Sequence, residues 1–138
     1  MNPDNFERIR FAVRDQVATL TLHNPERRNA FDPAMREEMR QVVAHLRAEP
    51  GIRALVLTGA GDHFCAGGDL RNIATVGLDN AGWRARLQSL HDWLKELITL
   101  DRPVIAAVDG AAYGAGFSLA LLADFVIATP RARFCMSF

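Results

Sequence analysis

Cysteine, lysine and net charge are what this sequence has little of. Its two cysteines, Cys65 and Cys135, form no CxxC pair. They are too few and too far apart for a disulfide framework, and they offer no metal or redox couple, so a reducing, cytoplasmic setting is expected. The lone lysine, Lys95, lies in no glycine-rich loop, which removes a P-loop. Sixteen Lys plus Arg balance sixteen Asp plus Glu to a formal charge of +0. No overall field therefore draws in nucleic acid or an anionic membrane, and any phosphate contact must be local. Long apolar runs are missing too. In the most apolar stretch, Val104 to Thr129, Asp109 and Asp124 hold the uncharged part short of the ~20 residues that span a bilayer. The histidines, His23, His45, His63 and His91, share neither i,i+4 spacing nor partner carboxylates, so no metal centre is expected. The opening residues, Met1 to Glu7, are polar and acidic, which predicts neither a signal nor a transit peptide.

What is present is an ordinary globular composition, 49% hydrophobic and 23% charged over 138 residues, enough for one domain. Two β-branched runs, Ile9 to Arg14 and Val17 to His23, flank Asp15-Gln16 and predict a hairpin. Asn24 to Asn29 breaks the pattern as a loop. Asp32-Pro33 is a capped helix start, followed at helical spacing by Met35, Met39, Val42 or Val43, and Leu46 until Pro50-Gly51. A strand at Ala54 to Leu57 runs into a glycine-rich segment, Gly59 to Gly68, and a short helix is expected from Asp69-Leu70. Trp83, Leu87, Leu90, Leu94 and Leu97 predict a long amphipathic helix that stops before Asp101-Arg102-Pro103. A buried strand, Val104 to Val108, a second glycine-rich turn, Asp109 to Gly114, a helix from Ala115 to Ala123 and a strand at Phe125 to Ala128 follow. This alternation predicts an α/β fold with parallel pairing. The last residues, Ala132 to Phe138, read as the start of a further strand, and a chain that stops inside an apolar run is expected to be a fragment or to be covered by another subunit.

Each glycine-rich turn lies between a strand and a helix start, where unpaired N–H groups and the positive end of the helix dipole favour an oxyanion. The plain alternative is a pair of tight connections. Dinucleotide binding is weakly supported: Gly114-Ala115-Gly116 supplies a GxG, but Asp109 to Tyr113 separate it from its strand and Asp124 precedes the next one. Gly116-Phe117-Ser118-Leu119-Ala120 is a degraded G-x-S-x-G, which makes Ser118 a candidate nucleophile. No histidine follows His91, so a base would have to come from His63 or His91 upstream. Arg27-Arg28, beside Asn29, is either a solvated pair or a phosphate contact.

Taken together, Phe64-Cys65-Ala66-Gly67-Gly68-Asp69-Leu70, Pro103 to Gly110, and Gly114-Ala115-Gly116 resemble the enoyl-CoA hydratase/isomerase, or crotonase, family. His23 to Phe31 is similar to that family's N-terminal signature. The resemblance runs from the hairpin to Phe138 and implies that residues 1–138 are the N-terminal portion of the family domain. It implies an α/β crotonase (ClpP-like) spiral of ββα units, incomplete at its C-terminal end. It also implies an acyl-CoA substrate, no cofactor other than the coenzyme A carried by that substrate, and trimers or paired trimers. Carried over position by position, the backbone N–H groups of Gly68 and Ala115 would receive the thioester oxygen and stabilise an enolate. Arg27, Arg28, Ala66, Gly67 and Gly114 would line the bound thioester, and Asp69 would hold the start of its helix.

Two departures bear on the reaction. Hydratases of the family place glutamates where this chain has Ser118 and Phe138, and neither side chain serves as a general acid or base at neutral pH. The resemblance therefore favours members that shift double bonds or isomerise aryl-epoxide CoA thioesters, with a carboxylate downstream of Phe138 as proton shuttle. A hydratase with another acid–base set, a peptidase of the same fold using Ser118, and a non-catalytic acyl-CoA binder stay open.

Overall fold

The computed structural model describes residues 2–137. Two strands, β1 (Ile9–Arg14) and β2 (Val17–Leu22), pair antiparallel with Arg14 opposite Val17. Asp15 and Gln16 between them both have positive φ, 50° and 66°, as a two-residue turn matching the strand twist requires. The main sheet continues with β3 (Ala54–Gly59), β4 (Val104–Val108) and β6 (Phe125–Ala128), all joined in parallel, in the order β1-β2-β3-β4-β6. Alternation decides which face is buried. Ala18, Leu20 and Leu22, Leu55 and Leu57, and Val104, Ala106 and Val108 all point inward. Against them pack Met35, Met39, Val42, Val43 and Leu46 of α1 (Pro33–Ala48), whose N-cap Asp32 accepts from Met35 N–H at 2.8 Å. The predicted cap, proline and apolar spacing are all realised.

The long helix α3 (Asn80–Ile98) departs from expectation. Of its predicted stripe Leu97 is buried, and the other buried residue is Trp93, whereas Leu87 is 50% exposed. Only the second half of the helix reaches the core. Strand β6 forms as predicted but as an edge, with Phe125 62% and Ile127 66% exposed.

A second layer, implied by the resemblance's ββα units, was read from the residues themselves only at its last strand, within 132–138. The stretch read as a glycine-rich turn contains strand β5 (Ala111–Tyr113), which pairs in parallel with β7 (Arg133–Cys135). Cys65 bridges to Ala112, and Gly68 bridges to Phe31. Three main-sheet strands, β2, β3 and β4, are each followed by a short extended piece in this second layer and then by helix. After β2 comes Phe31 and α1. After β3 comes 64–68, followed by α2 (Leu70–Thr75) and α3. After β4 comes β5 and then α4 (Ala115–Leu121). This is a spiral of ββα units.

Asn29 clamps the first two turns of that spiral. Fully buried, at φ 55°, it donates from Nδ2 to Ala60 O (2.9 Å) and His63 O (2.7 Å) and accepts from Asn24 N–H (2.9 Å). Asn29→Ala removes the partner of three part-buried groups and the side-chain hydrogen bonds with which asparagine supports a left-handed conformation, so unfolding free energy should fall by on the order of 3 kcal/mol. Denaturant titration of both proteins measures this, and a loss under about 1 kcal/mol would contradict the clamp.

Candidate active site

The segment 64–69 runs between two backbones and bonds to both. On one side Phe31 N–H donates to Gly67 O (2.7 Å) and Asp69 N–H to Phe31 O (3.1 Å). On the other, Cys65 N–H donates to Ala111 O and Tyr113 N–H to Cys65 O, both at 2.9 Å. In the parallel bridge, Phe31 uses the groups of the residues flanking Gly68, which turns the N–H and C=O of Gly68 itself away from Phe31. Gly67, at φ 94°, lies against the second turn. A β-carbon there would sit 2.7 Å from Tyr113 O and 3.5 Å from Ala115 N. No side chain fits at Gly67, which lets the backbones of the two turns touch.

Gly114 caps α4 with φ 48° and ψ −121°, a conformation open to glycine, and it donates to Cys135 O at 2.8 Å. Its carbonyl accepts from Ser118 N–H at 3.0 Å. Ala115 is the first residue of α4, and its N–H has no acceptor among the described residues; neither has that of Gly68. Sequence reasoning placed both groups at helix starts. Only Ala115 is at one, since Gly68 precedes the cap residue Asp69 and belongs to the extended piece. Helices α2 and α4 have six and seven residues, so the individual N–H groups matter here more than any summed dipole.

The remaining candidates cluster around these two. Ala66 N–H donates to Arg28 O at 2.9 Å, which ties the Arg27-Arg28 loop to the Ala66-Gly67-Gly68 segment. Buried Asp69 caps α2 with Oδ1, accepting from Arg71 and Asn72 N–H, and takes Arg27 Nη1 on Oδ2 at 3.0 Å. Arg27 is therefore held across the segment. Arg28, left-handed at φ 52° and exposed, has a side chain without partner among the described residues and is the freer cation. Asn29, read as a companion to these arginines, has its polar groups turned inward. Ser118 lies one turn into α4, and among the described residues no histidine is hydrogen-bonded to its hydroxyl. Phe138 lies outside the described residues.

Two neighbours escaped sequence reasoning. Ile73 of α2, 39% exposed, brings Cδ1 within 3.0 Å of where a β-carbon on Gly68 would be, placing an apolar side chain beside the Gly68 backbone. Cys65 is the other: its carbonyl and Cβ meet Gly116 so closely that α4 can pass only without a side chain at Gly116. Burial pushes the Cys65 thiol up to about 12, opposed in part by Gly67 N–H at 3.4 Å from Sγ.

A profile described as enoyl-CoA hydratase/isomerase matches residues 12–138. A protein of Mycobacterium tuberculosis named as a probable enoyl-CoA hydratase is 39% identical over 133 residues, covering 96% of this chain and 51% of its own length. The 1,2-epoxyphenylacetyl-CoA isomerase of Escherichia coli is 41% identical over 128 residues, covering 91% and 49%. Among solved structures, an enoyl-CoA hydratase from Shewanella pealeana superimposes with a TM-score of 0.91 at 29% identity, covering 96% of this chain and 50% of that one. The chain spans about half the length of the curated relatives it matches.

The Cys65 thiol gives a pH prediction for the segment. Its folded pKa of about 12 lies above the ordinary value of 9.0, so folding favours the protonated form. That stability is complete below pH about 9 and is lost as pH rises towards 12, at a slope of about 1.4 kcal/mol per pH unit. Urea unfolding at pH 8, 9 and 10 should show the wild-type advantage over Cys65→Ala shrinking along this alkaline limb; a constant difference would mean that Cys65 does not carry it.

Proposed function

The chain belongs to the enoyl-CoA hydratase/isomerase family and has the crotonase fold, and from that premise we propose that it processes an acyl-CoA thioester through an enolate held by the N–H groups of Gly68 and Ala115. The observation that carries this reading is the pair of N–H groups without acceptors on two backbone segments in contact through Gly67. A thioester oxygen gains negative charge when an α- or γ-proton leaves, and it then needs donors that are already fixed in place. Arg28, and Arg27 where it reaches past Asp69, would meet the phosphates of coenzyme A. Ala66, Gly67 and Gly114 would form the wall along which the thioester lies.

Within the family we favour isomerisation: removal of the proton, delocalisation of its electron pair onto the thioester oxygen, and return of a proton at another carbon. No water is added and nothing is oxidised. Ser118 supports this preference, since it stands where hydratases carry a glutamate and cannot deprotonate water at neutral pH. The proton carrier is then a carboxylate beyond residue 138, in the half of the relatives' length that this chain does not span. Among the relatives, the one named as an epoxyphenylacetyl-CoA isomerase gives the reading a chemical precedent. Those named as hydratases keep water addition by another acid–base set as the competing reading.

Two outcomes are expected of the full-length protein. It should convert 3-enoyl-CoA to 2-enoyl-CoA faster than it hydrates 2-enoyl-CoA, followed by thioester absorbance and product mass; the reverse order removes the isomerase preference. Proline is tolerated at the first position of a helix, where it replaces the N–H by its ring Cδ. Ala115→Pro should therefore keep its unfolding midpoint while kcat falls about 10²–10³-fold. Unchanged kcat in a folded Ala115→Pro protein would remove that donor from the mechanism.

A further inference from the structure

We propose that the groove between α1 and α3 binds a phosphoryl oxyanion between the guanidinium groups of Arg36 and Arg86. The groove encloses about 200 Å³, enough for a phosphate group with part of its water, and its walls carry donors with little to accept from them. Arg36, half-buried, has no hydrogen bond or ion pair among the described residues, and Asp32, the carboxylate whose charge acts on it, is taken by Arg8 at 2.7 Å. Arg86 donates to the neutral oxygen Asn72 Oδ1 (2.7 Å) and lies 5.2 Å from the centre of the Trp83 ring, and no acid pairs with it. Glu37, the one carboxylate lining the groove, is engaged by Arg40 and Gln41.

Two further lining residues carry donors. Trp93 lines the groove, and its buried indole N–H has no acceptor among the described residues. Ser89 adds a hydroxyl with no hydrogen-bond partner among the described residues. Burial and the charge of Arg86 both weaken Arg36's hold on its proton, the mark of two cations brought together with no anion between them. An arrangement of unpaired guanidinium groups beside a buried, unsatisfied N–H costs stability unless something accepts from it. A tetrahedral oxyanion does so with several oxygens at once, and arginine's planar fork suits phosphate in particular. The oxyanion has two sources with the same chemistry: free phosphate or a small phosphomonoester, or the 3′-phosphate of a bound coenzyme A. The second source rests on the acyl-CoA reading; the first does not.

Calorimetric titration of the full-length protein with sodium phosphate, against sodium chloride at equal ionic strength, should give saturable binding with a Kd at or below about 1 mM. Trp83 and Trp93 fluorescence should change in step. Arg36→Gln, or Arg86→Gln if the first variant does not fold, should weaken binding about tenfold or more. Arg84→Gln, on α3 outside the groove, should not. No saturation up to about 20 mM phosphate, or equal affinity in wild type and the groove variants, overturns the proposal. A loss of coenzyme A affinity in Arg36→Gln that dephospho-coenzyme A does not share assigns the oxyanion to the thioester's own 3′-phosphate. Weakened phosphate binding with coenzyme A affinity intact assigns it to a separate ligand, and this result stands whether or not the protein turns over any acyl-CoA.

Discussion

Backbone packed directly on backbone at residues 64–69 is the constraint on which the rest of the structure depends. The extended piece is bonded to Phe31 on one side and to β5 on the other, and three neighbouring approaches leave no room for a β-carbon. Gly67 faces Tyr113 O, Gly110 faces Asp62 O and Gly116 faces Cys65 O. A methyl at any of these would push the two segments apart, because the colliding atom is a backbone carbonyl and not the far end of a flexible side chain. The same closeness leaves Gly68 and Ala115 with N–H groups that no carbonyl reaches, since the strands meet as single bridges rather than as a full ladder. Site and architecture thus have one cause.

Elements that depend on local chemistry were legible in the sequence. Asp32-Pro33 announces α1 because cap and proline act within one turn, and Asp15-Gln16 announces the hairpin because two β-branched runs flank a two-residue gap. Of the second layer only Arg133 to Cys135 was legible, within the run 132–138 read as a strand start. Phe31, Cys65 to Gly68 and Ala111 to Tyr113 are one to four residues long, too short for any period to show. The apolar stripe of α3 was visible, but its burial was not, because Leu87 and Leu97 look alike in sequence and differ only in whether another element reaches them. At the candidate site, Gly68 and Ala115 were singled out by motif resemblance. The inward role of Asn29 lay behind two arginines that drew the reading towards phosphate. The closeness of Ile73 to Gly68 depends on where α2 turns, which no spacing encodes.

The charges of this chain show what kind of chemistry the described residues can supply. Asp32 caps α1 and pairs with Arg8, and Glu38 accepts from Glu7 and Arg8 N–H at 2.8 and 2.9 Å. Asp69 caps α2 and holds Arg27, and Asp124 accepts from Val104 N–H at 2.8 Å, fixing the start of β4. Asp109 is engaged by Thr129 and Arg131. Even His63 lends Nδ1 to Ala111 N–H at 3.3 Å to hold β5 in place. Each of these acceptors has a structural partner, and recruiting one as a base would release a helix cap, a strand or an arginine at a cost of about 1–3 kcal/mol. Gly68 and Ala115 N–H and the Arg28 guanidinium are unpaired among the described residues, and all three are donors. Free donors at this place stabilise developing negative charge. In the proposed reaction these donors would hold the enolate, and the proton carrier would be a separate group.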